Sequence, residues 1–351
     1  MIQPRTLEGP ARRAWPPLAL CLVIVLSWAI VTALDSVVYT QTTVLMFLLL
    51  IVTLSLQMFS GNSGVLSFGH VSFVAVGAWA AGVLSMPTEE KPAIMPHLFG
   101  FLRDHTVGNI WSLVIAAAVG GVFALVAGLP LMRLSGLAAG IATFGVLEIT
   151  HNVLRYWEKI GPGVTTFSAV PETTGLLQAS VGAVIAVVVA FAYQRSRYGR
   201  MLRATREDAA AARAVGVSIY VQRLVAFTLS GALAGLAGGL YVHVLPINTE
   251  LVYLDLTFIT LAMLVIGGAT SLWGAVVGAL AVSAVDSFLA EAENGLRIFG
   301  GTLDLPAGTR IVVVGALMAL VLILRPSGLT GGRELPLPRA FARNLLTKFS
   351  A

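Results

Sequence analysis

The side chains with most chemistry to offer lie in one stretch, SRYGRMLRATREDAAAARAVG at 196–216, set in a chain that is otherwise almost all hydrocarbon. On a helix at about 100° per residue, Arg200, Arg203, Arg206, Glu207 and Arg213 fall on one arc. Met201, Ala204, Ala211, Ala212 and Val215 fall on the opposite arc, with Asp208 the only charge among them. Guanidinium and carboxylate groups so placed form ion pairs and charge-assisted hydrogen bonds. The spacing predicts one short amphipathic helix in water, whose small-residue side permits close approach to another surface.

A second set of polar residues sits where the surroundings are apolar. Glu148 precedes His151 by three residues, which puts both on one helix face. Such a pair lines a path or ties the helix to a neighbour. Asn62, Ser63, Ser67 and His70 stand in a glycine-rich run, where they cap a broken helix or face a solute. Asp286 lies near the end of its apolar run and is expected at the membrane interface. Ionisable groups at bilayer depth are costly and mark functional or paired positions. No G-x-x-x-x-G-K-S/T, HExxH, CxxC or GxSxG motif occurs, so an enzyme, a cofactor and a metal site have no support. The single cysteine, Cys21, cannot form an intrachain disulfide.

The elements that must position these residues are read from hydropathy. The 351 residues are 57% hydrophobic and 11% charged, with mean hydropathy +0.88. Soluble domains carry about 25% charged residues; a fold this apolar would aggregate in water. An all-α polytopic membrane protein is expected, with spans at 17–34, 42–60, 65–86, 111–133, 135–157, 176–194, 223–245, 256–272, 273–290 and 309–325. The third, eighth and ninth are glycine-rich or short, which allows them to be broken or re-entrant. Ten spans put both termini on one side. The N-terminal arginines, Arg133, the 195–222 loop with Arg223, and the tail with Arg325 place 16 of the 22 basic residues there, against four acids. The positive-inside rule makes that side cytoplasmic. The chain therefore divides into a cytoplasmic N-terminus (1–16), a membrane domain (17–325) containing the loop 195–222, and a cytoplasmic tail (326–351). The net charge of +5 follows topology and does not suggest nucleic-acid binding.

Small residues concentrate in two places, GNSGVLSFGHVSFVAVGAW at 61–79 and IGGATSLWGAVVGA at 266–279. Paired interrupted segments in the two halves of a chain point to a transport path. Gly231, Gly235, Gly238 and Gly239 recur every three to four positions, as a close-packing helix face requires.

Together with TFGVLEI at 143–149, AFTLSGALAGLAGGLY at 226–241 and RPSGLTG at 325–331, these stretches resemble permease subunits of the ABC importers for branched-chain amino acids. That group also includes urea, short-chain amide and aromatic-acid systems. The combination of YGRxxRAxRED with the later Gly-Gly segment is specific, and the length favours the longer of two paired permeases. The resemblance implies a sister permease, two cytoplasmic ATPase subunits, a periplasmic solute-binding protein and the bacterial inner membrane. It makes 196–216 the element that couples to the ATPase, oriented by Arg200, Arg203, Arg206, Glu207 and Asp208 and ended by Gly216. Asn62, Ser67, His70 and Glu148 become the candidates for lining the path. Two departures, the 160–171 region in place of a Thr-Gly-Gly-x-Asn-Gly-like turn and Thr150-His151 after Glu-Ile, loosen the assignment of the solute. The rival reading from another class is an ion-coupled secondary transporter.

Overall fold

The computed structural model describes residues 10–298, 301–303, 305–306, 308–332 and 334. Residues 1–9 of the expected N-terminal segment and 335–351 of the expected tail lie outside these. Helices α1 (Pro10–Leu34) and α2 (Val37–Leu56) lead into a π-helical turn at Gln57–Gly61. There follow α3 (Val71–Ser85), the short α4 (Lys91–Ile94) and α5 (Gly100–Arg103), α6 (Asn109–Leu131), α7 (Gly136–Tyr156) and α8 (Leu176–Arg195). Then come α9 (Arg197–Glu207), α10 (Ala209–Ala214), α11 (Ile219–Val242), α12 (Leu254–Gly267), α13 (Leu272–Glu293) and α14 (Thr309–Leu324). Between α13 and α14 stands a small antiparallel hairpin, β1 (Leu296–Ile298) with β2 (Gly301–Leu303), which the sequence pattern did not suggest.

Among the described residues seven helices are long and apolar enough to cross a bilayer: α1, α2 with its π turn, α6, α7, α8, α11 and α13. Helices α3, α12 and α14 have 15, 14 and 16 residues, short of the roughly 20 that a straight crossing needs. The expected breaks thus fall at α3 and α12. The ninth predicted span is corrected: α13 is a continuous helix of 22 residues. Its glycines serve packing, and Ser271 caps its start by accepting from Gly274 N at 2.9 Å.

The centre of the bundle is the crossing of α3, α6 and α11. Apolar side chains gain little by leaving lipid for protein, so close backbone approach must hold such a crossing. A Cβ on Gly77 would overlap the backbone of Gly235, one on Gly235 the carbonyl of Ala116, and one on Gly238 the carbonyl of Val74. Gly120 stands in the same seam, 2.7 Å from the Gly231 oxygen by the same construction. The glycine spacing on α11 is thus one packing face shared by two neighbours.

The two ends of the bundle are built differently. At one end α9 packs against α8 and α11. There Tyr220 Oη donates to Leu129 O at 3.1 Å, and Arg223 Nη1 to Leu134 O at 2.9 Å. At the other end the connecting loops knit together. Phe167 N donates to Ile247 O at 2.9 Å, Thr174 N to His243 O at 3.2 Å, and Phe99 N to Lys159 O at 3.1 Å. The 87–110 connection carries α4 and α5 at this end. Lys91 is fully buried in it, with Nζ donating to Leu102 O at 2.8 Å and His105 O at 2.5 Å. Burial pushes this ammonium below the usual lysine range, with Asp104 opposing the shift.

Replacing Gly238 by Leu should force α3 and α11 apart, at a cost of about 1–3 kcal/mol or more. Gly145→Ala, where the new methyl meets open space, should be nearly neutral. Thermal unfolding of the detergent-solubilised proteins measures both.

Candidate functional site at the helix breaks

A membrane helix that stops releases backbone groups which must find partners within the protein. The first break follows the π turn, and Asn62 Nδ2 donates to Met58 O at 2.9 Å to close it. Ser63 Oγ accepts from Val65 N at 3.1 Å, and Phe68 N donates to Thr143 Oγ1 at 3.1 Å. The second break follows α12, where Gly268 takes φ +116°. The 325–332 segment returns to cover it. Leu329 N donates to Ile266 O at 2.8 Å, and Thr330 Oγ1 to Gly267 O at 2.9 Å. The RPSGLTG stretch is therefore a plug for this helix end. The two breaks meet: a Cβ on Gly61 would overlap the Ala269 carbonyl.

Helix α9 is fastened onto this junction. Ser196 caps it by accepting from Gly199 N at 3.1 Å. Arg206 Nη1 donates to Gly61 O at 2.6 Å, and its Nε and Nη2 reach Glu207 Oε1 at 3.1 and 2.6 Å. Gly64, at φ +72°, leaves room for the Arg206 stem, which a Cβ would meet at 2.7 Å. Arg203 Nη1 donates to Asn62 Oδ1 at 3.3 Å and Nη2 to Gln194 O at 2.9 Å. Burial, with Arg206 beside it, lowers the Arg203 pKa from its ordinary value; a guanidinium remains charged at neutral pH.

This geometry corrects the expected helix in two ways. The 196–216 segment is two helices, because Asp208 is extended (φ −147°, ψ 105°) and caps α10 by accepting from Ala210 N and Ala211 N at 2.8 and 3.0 Å. The arginine arc is also not simply the water side, since Arg203 and Arg206 turn into the protein with Leu202 and Thr205. Arg200, Glu207 and Arg213 remain exposed, and Arg200 Nη1 donates back to Arg195 O at 2.5 Å. The outward face is the small-residue one: Ala204, Ala211 and Val215, the last 79% exposed. Ala212 alone of the alanines there turns in, as the break re-aims α10. Gly216 (φ +82°) ends α10 in a Schellman closure, with Val217 N donating to Ala212 O at 3.0 Å and Gly216 N to Arg213 O at 2.9 Å.

The path candidates separate. Asn62 is the arginine acceptor. Ser67 is 1% exposed, with an unpartnered Oγ. His70 is enclosed by Phe59, Phe73 and Phe227, with ring centroids 5.3–6.4 Å away, and faces no open space. Glu148 lies at the loop end, exposed on α7, where it accepts from Asn152 Nδ2 at 2.7 Å and from the Tyr253 hydroxyl. That bond raises the tyrosine pKa to about 12. His151 does not pair with Glu148. It stacks on Tyr253 at 3.9 Å and approaches Glu250, which also pairs with Arg155. Two features escaped the sequence reading. His243, buried, bridges Ser112 Oγ (3.2 Å) and Pro171 O (3.0 Å) and so locks the loop end. The other is the partner of Asp286, whose side chain is 16% exposed and pairs with Arg310.

Arg203→Ala should raise amide hydrogen exchange at residues 57–64 about tenfold, because hydrogen bonds to charged groups contribute about 1.5–3 kcal/mol. The depressed Asp208 pKa, set by the Ala211 and Ala210 amides, puts the α10 cap in place above the unfolded carboxylate pKa. The cap is lost as pH falls through the folded one. Exchange at 211–214 should therefore be pH-independent near neutrality once corrected for intrinsic rates, and faster in Asp208→Ala.

Comparison with known proteins accords with this arrangement. The high-affinity branched-chain amino acid transport system permease protein LivM of Salmonella typhimurium is 27% identical over 88% of this chain and 73% of its own. The probable branched-chain amino acid transport permease protein LivH of Methanocaldococcus jannaschii is 26% identical over 81% and 89%. An autoinducer 2 import system permease protein LsrC, from Salmonella paratyphi B, is 28% identical over 59% of this chain and 63% of its own. No solved structure gives a significant match. The family profile for the branched-chain amino acid transport system permease component matches residues 38–322, and the chain belongs to that family.

Proposed function

We propose that this chain is the membrane-embedded permease subunit of an ATP-driven importer for branched-chain or related amino acids in the bacterial inner membrane. Its partners in this reading are a sister permease, two ATPase subunits on the cytoplasmic face and a periplasmic solute-binding protein. Membership of the permease family and the names of the LivM and LivH relatives support the class and the solute. The nucleoside and autoinducer 2 permeases among the relatives support a second reading, in which another small polar solute is carried.

Ten passes, with both termini and the 195–222 loop in the cytoplasm, agree with the alternation of helix ends between the α9 end and the loop end. The membrane domain is then 17–325, flanked by cytoplasmic segments 1–16 and 326–351. The observation that carries the mechanism is the Arg206 bond to Gly61 O beside the meeting of the two breaks. An ATPase bound to the exposed Ala204, Ala211 and Val215 face would pull on α9, and the arginines would transmit that pull to the ends of α2 and α12. Arg200, Glu207, Asp208 and Gly216 hold that face in shape. Glu148 faces the path from the exposed side of α7. Asn62, Ser67 and His70 serve it indirectly, as the packed joint that moves.

Arg206→Glu and Gly216→Pro should both insert into the membrane. In the reconstituted assembly each should lose solute-stimulated ATP hydrolysis about tenfold or more, which is a coupling loss of about 1.4 kcal/mol. Proline cannot adopt the positive φ of Gly216. Normal coupled activity in both variants would overturn the coupling role.

A further inference from the structure

At the loop end, a cavity of about 380 Å³ lies between α2, α11, α12, α13 and α14, within the roughly 300–1,000 Å³ of small-molecule sites. One wall carries charge. Arg310 Nε stands 3.3 Å from Asp286 Oδ1, and Asp255 lines the same space without a hydrogen-bond or ion-pair partner among the described residues. The terminal nitrogens of Arg310 also make no hydrogen bond among the described residues. Ser283 is 3% exposed, lines the cavity and leaves its Oγ unpartnered. The facing wall is aliphatic: Leu49, Ile259 and Met318.

The pair is half-buried, with the Asp286 side chain 16% and the Arg310 side chain 40% exposed; such pairs add little to stability, so holding α13 to α14 does not require one. A pair kept in a cavity, with an unused carboxylate, unused guanidinium donors and an unused hydroxyl, is chemistry waiting for a partner with both charges. We infer that this cavity is a binding site for an aliphatic α-amino acid zwitterion. The solute carboxylate takes the free nitrogens of Arg310, the ammonium lies between Asp286 and Asp255, Ser283 completes its hydrogen bonds, and the side chain rests on the aliphatic wall. The inference rests on the importer reading above and adds a solute site to which, of the polar residues singled out from the sequence, only Asp286 belongs. It places that site at the end opposite α9, where a delivered solute would enter.

The native chain has one cysteine, Cys21, so Cys21→Ala with Ser283→Cys makes a single reporter thiol in the cavity. The assembled transporter is labelled with a small methanethiosulfonate in the presence and absence of L-leucine. At about ten times Kd, leucine should slow labelling about tenfold, since only the empty fraction reacts. Isopentylamine and 4-methylpentanoate, each with one of the two charges, should protect far less. Arg310→Gln and Asp286→Asn should remove protection while labelling persists. Leucine binding to the unmodified assembly, read as a thermal shift lost in the same two variants, covers a reporter that fails to fold. The inference is overturned by a thiol that never labels, by no protection, by equal protection from 4-methylpentanoate, or by protection from a fatty acid alone. ATP hydrolysis stimulated by loaded binding protein is measured on the same preparation. Its absence defeats the importer reading, whereas its presence without protection defeats only this site.

Discussion

A backbone that stops being helical inside lipid must have its amides and carbonyls satisfied by the protein itself, and the α9 end of this molecule is organised by that demand. Two buried helix ends lie there, at Gly61 and at Gly267. The polar groups they release are taken up by Asn62, by Thr330 and by Arg206. Each of these is held in turn by something else: Arg203 on Asn62, Ser271 beside Thr330, Glu207 on Arg206. The two sets of bonds meet at the close packing of Gly61 on Ala269.

The centre of the bundle obeys a complementary rule. Where helices continue without a break, small residues bring them together. Gly77, Gly120, Gly235 and Gly238 let α3, α6 and α11 touch backbone to backbone. This makes a stiff unit beside the breaks. In the proposed coupling role, motion imposed on α9 would meet this unit on one side and the two interrupted helices on the other. At the opposite end the connecting loops are tied by His243, Lys91 and the Phe167 to Ile247 bond.

Much of this was legible in the residues. The apolar runs marked the helices, because length and hydropathy are set by the bilayer and not by the neighbours. Glycine spacing on α11 announced a packing face. Gly216 behaved as a helix terminator because its φ +82° is a local property. Of the small-residue arc of 196–216, Ala204, Ala211 and Val215 stay outward while Ala212 is buried.

What the sequence alone determined is thus what depends on one segment and its solvent: membrane class, most of the helices, the break positions at α3 and α12, and the family. What only the tertiary structure decided is every pairing between distant segments. Arg203 and Arg206 looked solvated because a helical wheel shows an arc but not what lies opposite it. Nothing in the local pattern ties Arg206 to Gly61, Thr330 to Gly267, or Asp286 to Arg310. A helix break at Asp208 was masked by good helix formers on both sides, whereas its carboxylate gains two amide bonds by capping. Long-range partners are chosen by how helices cross, and that is a property of the packed bundle.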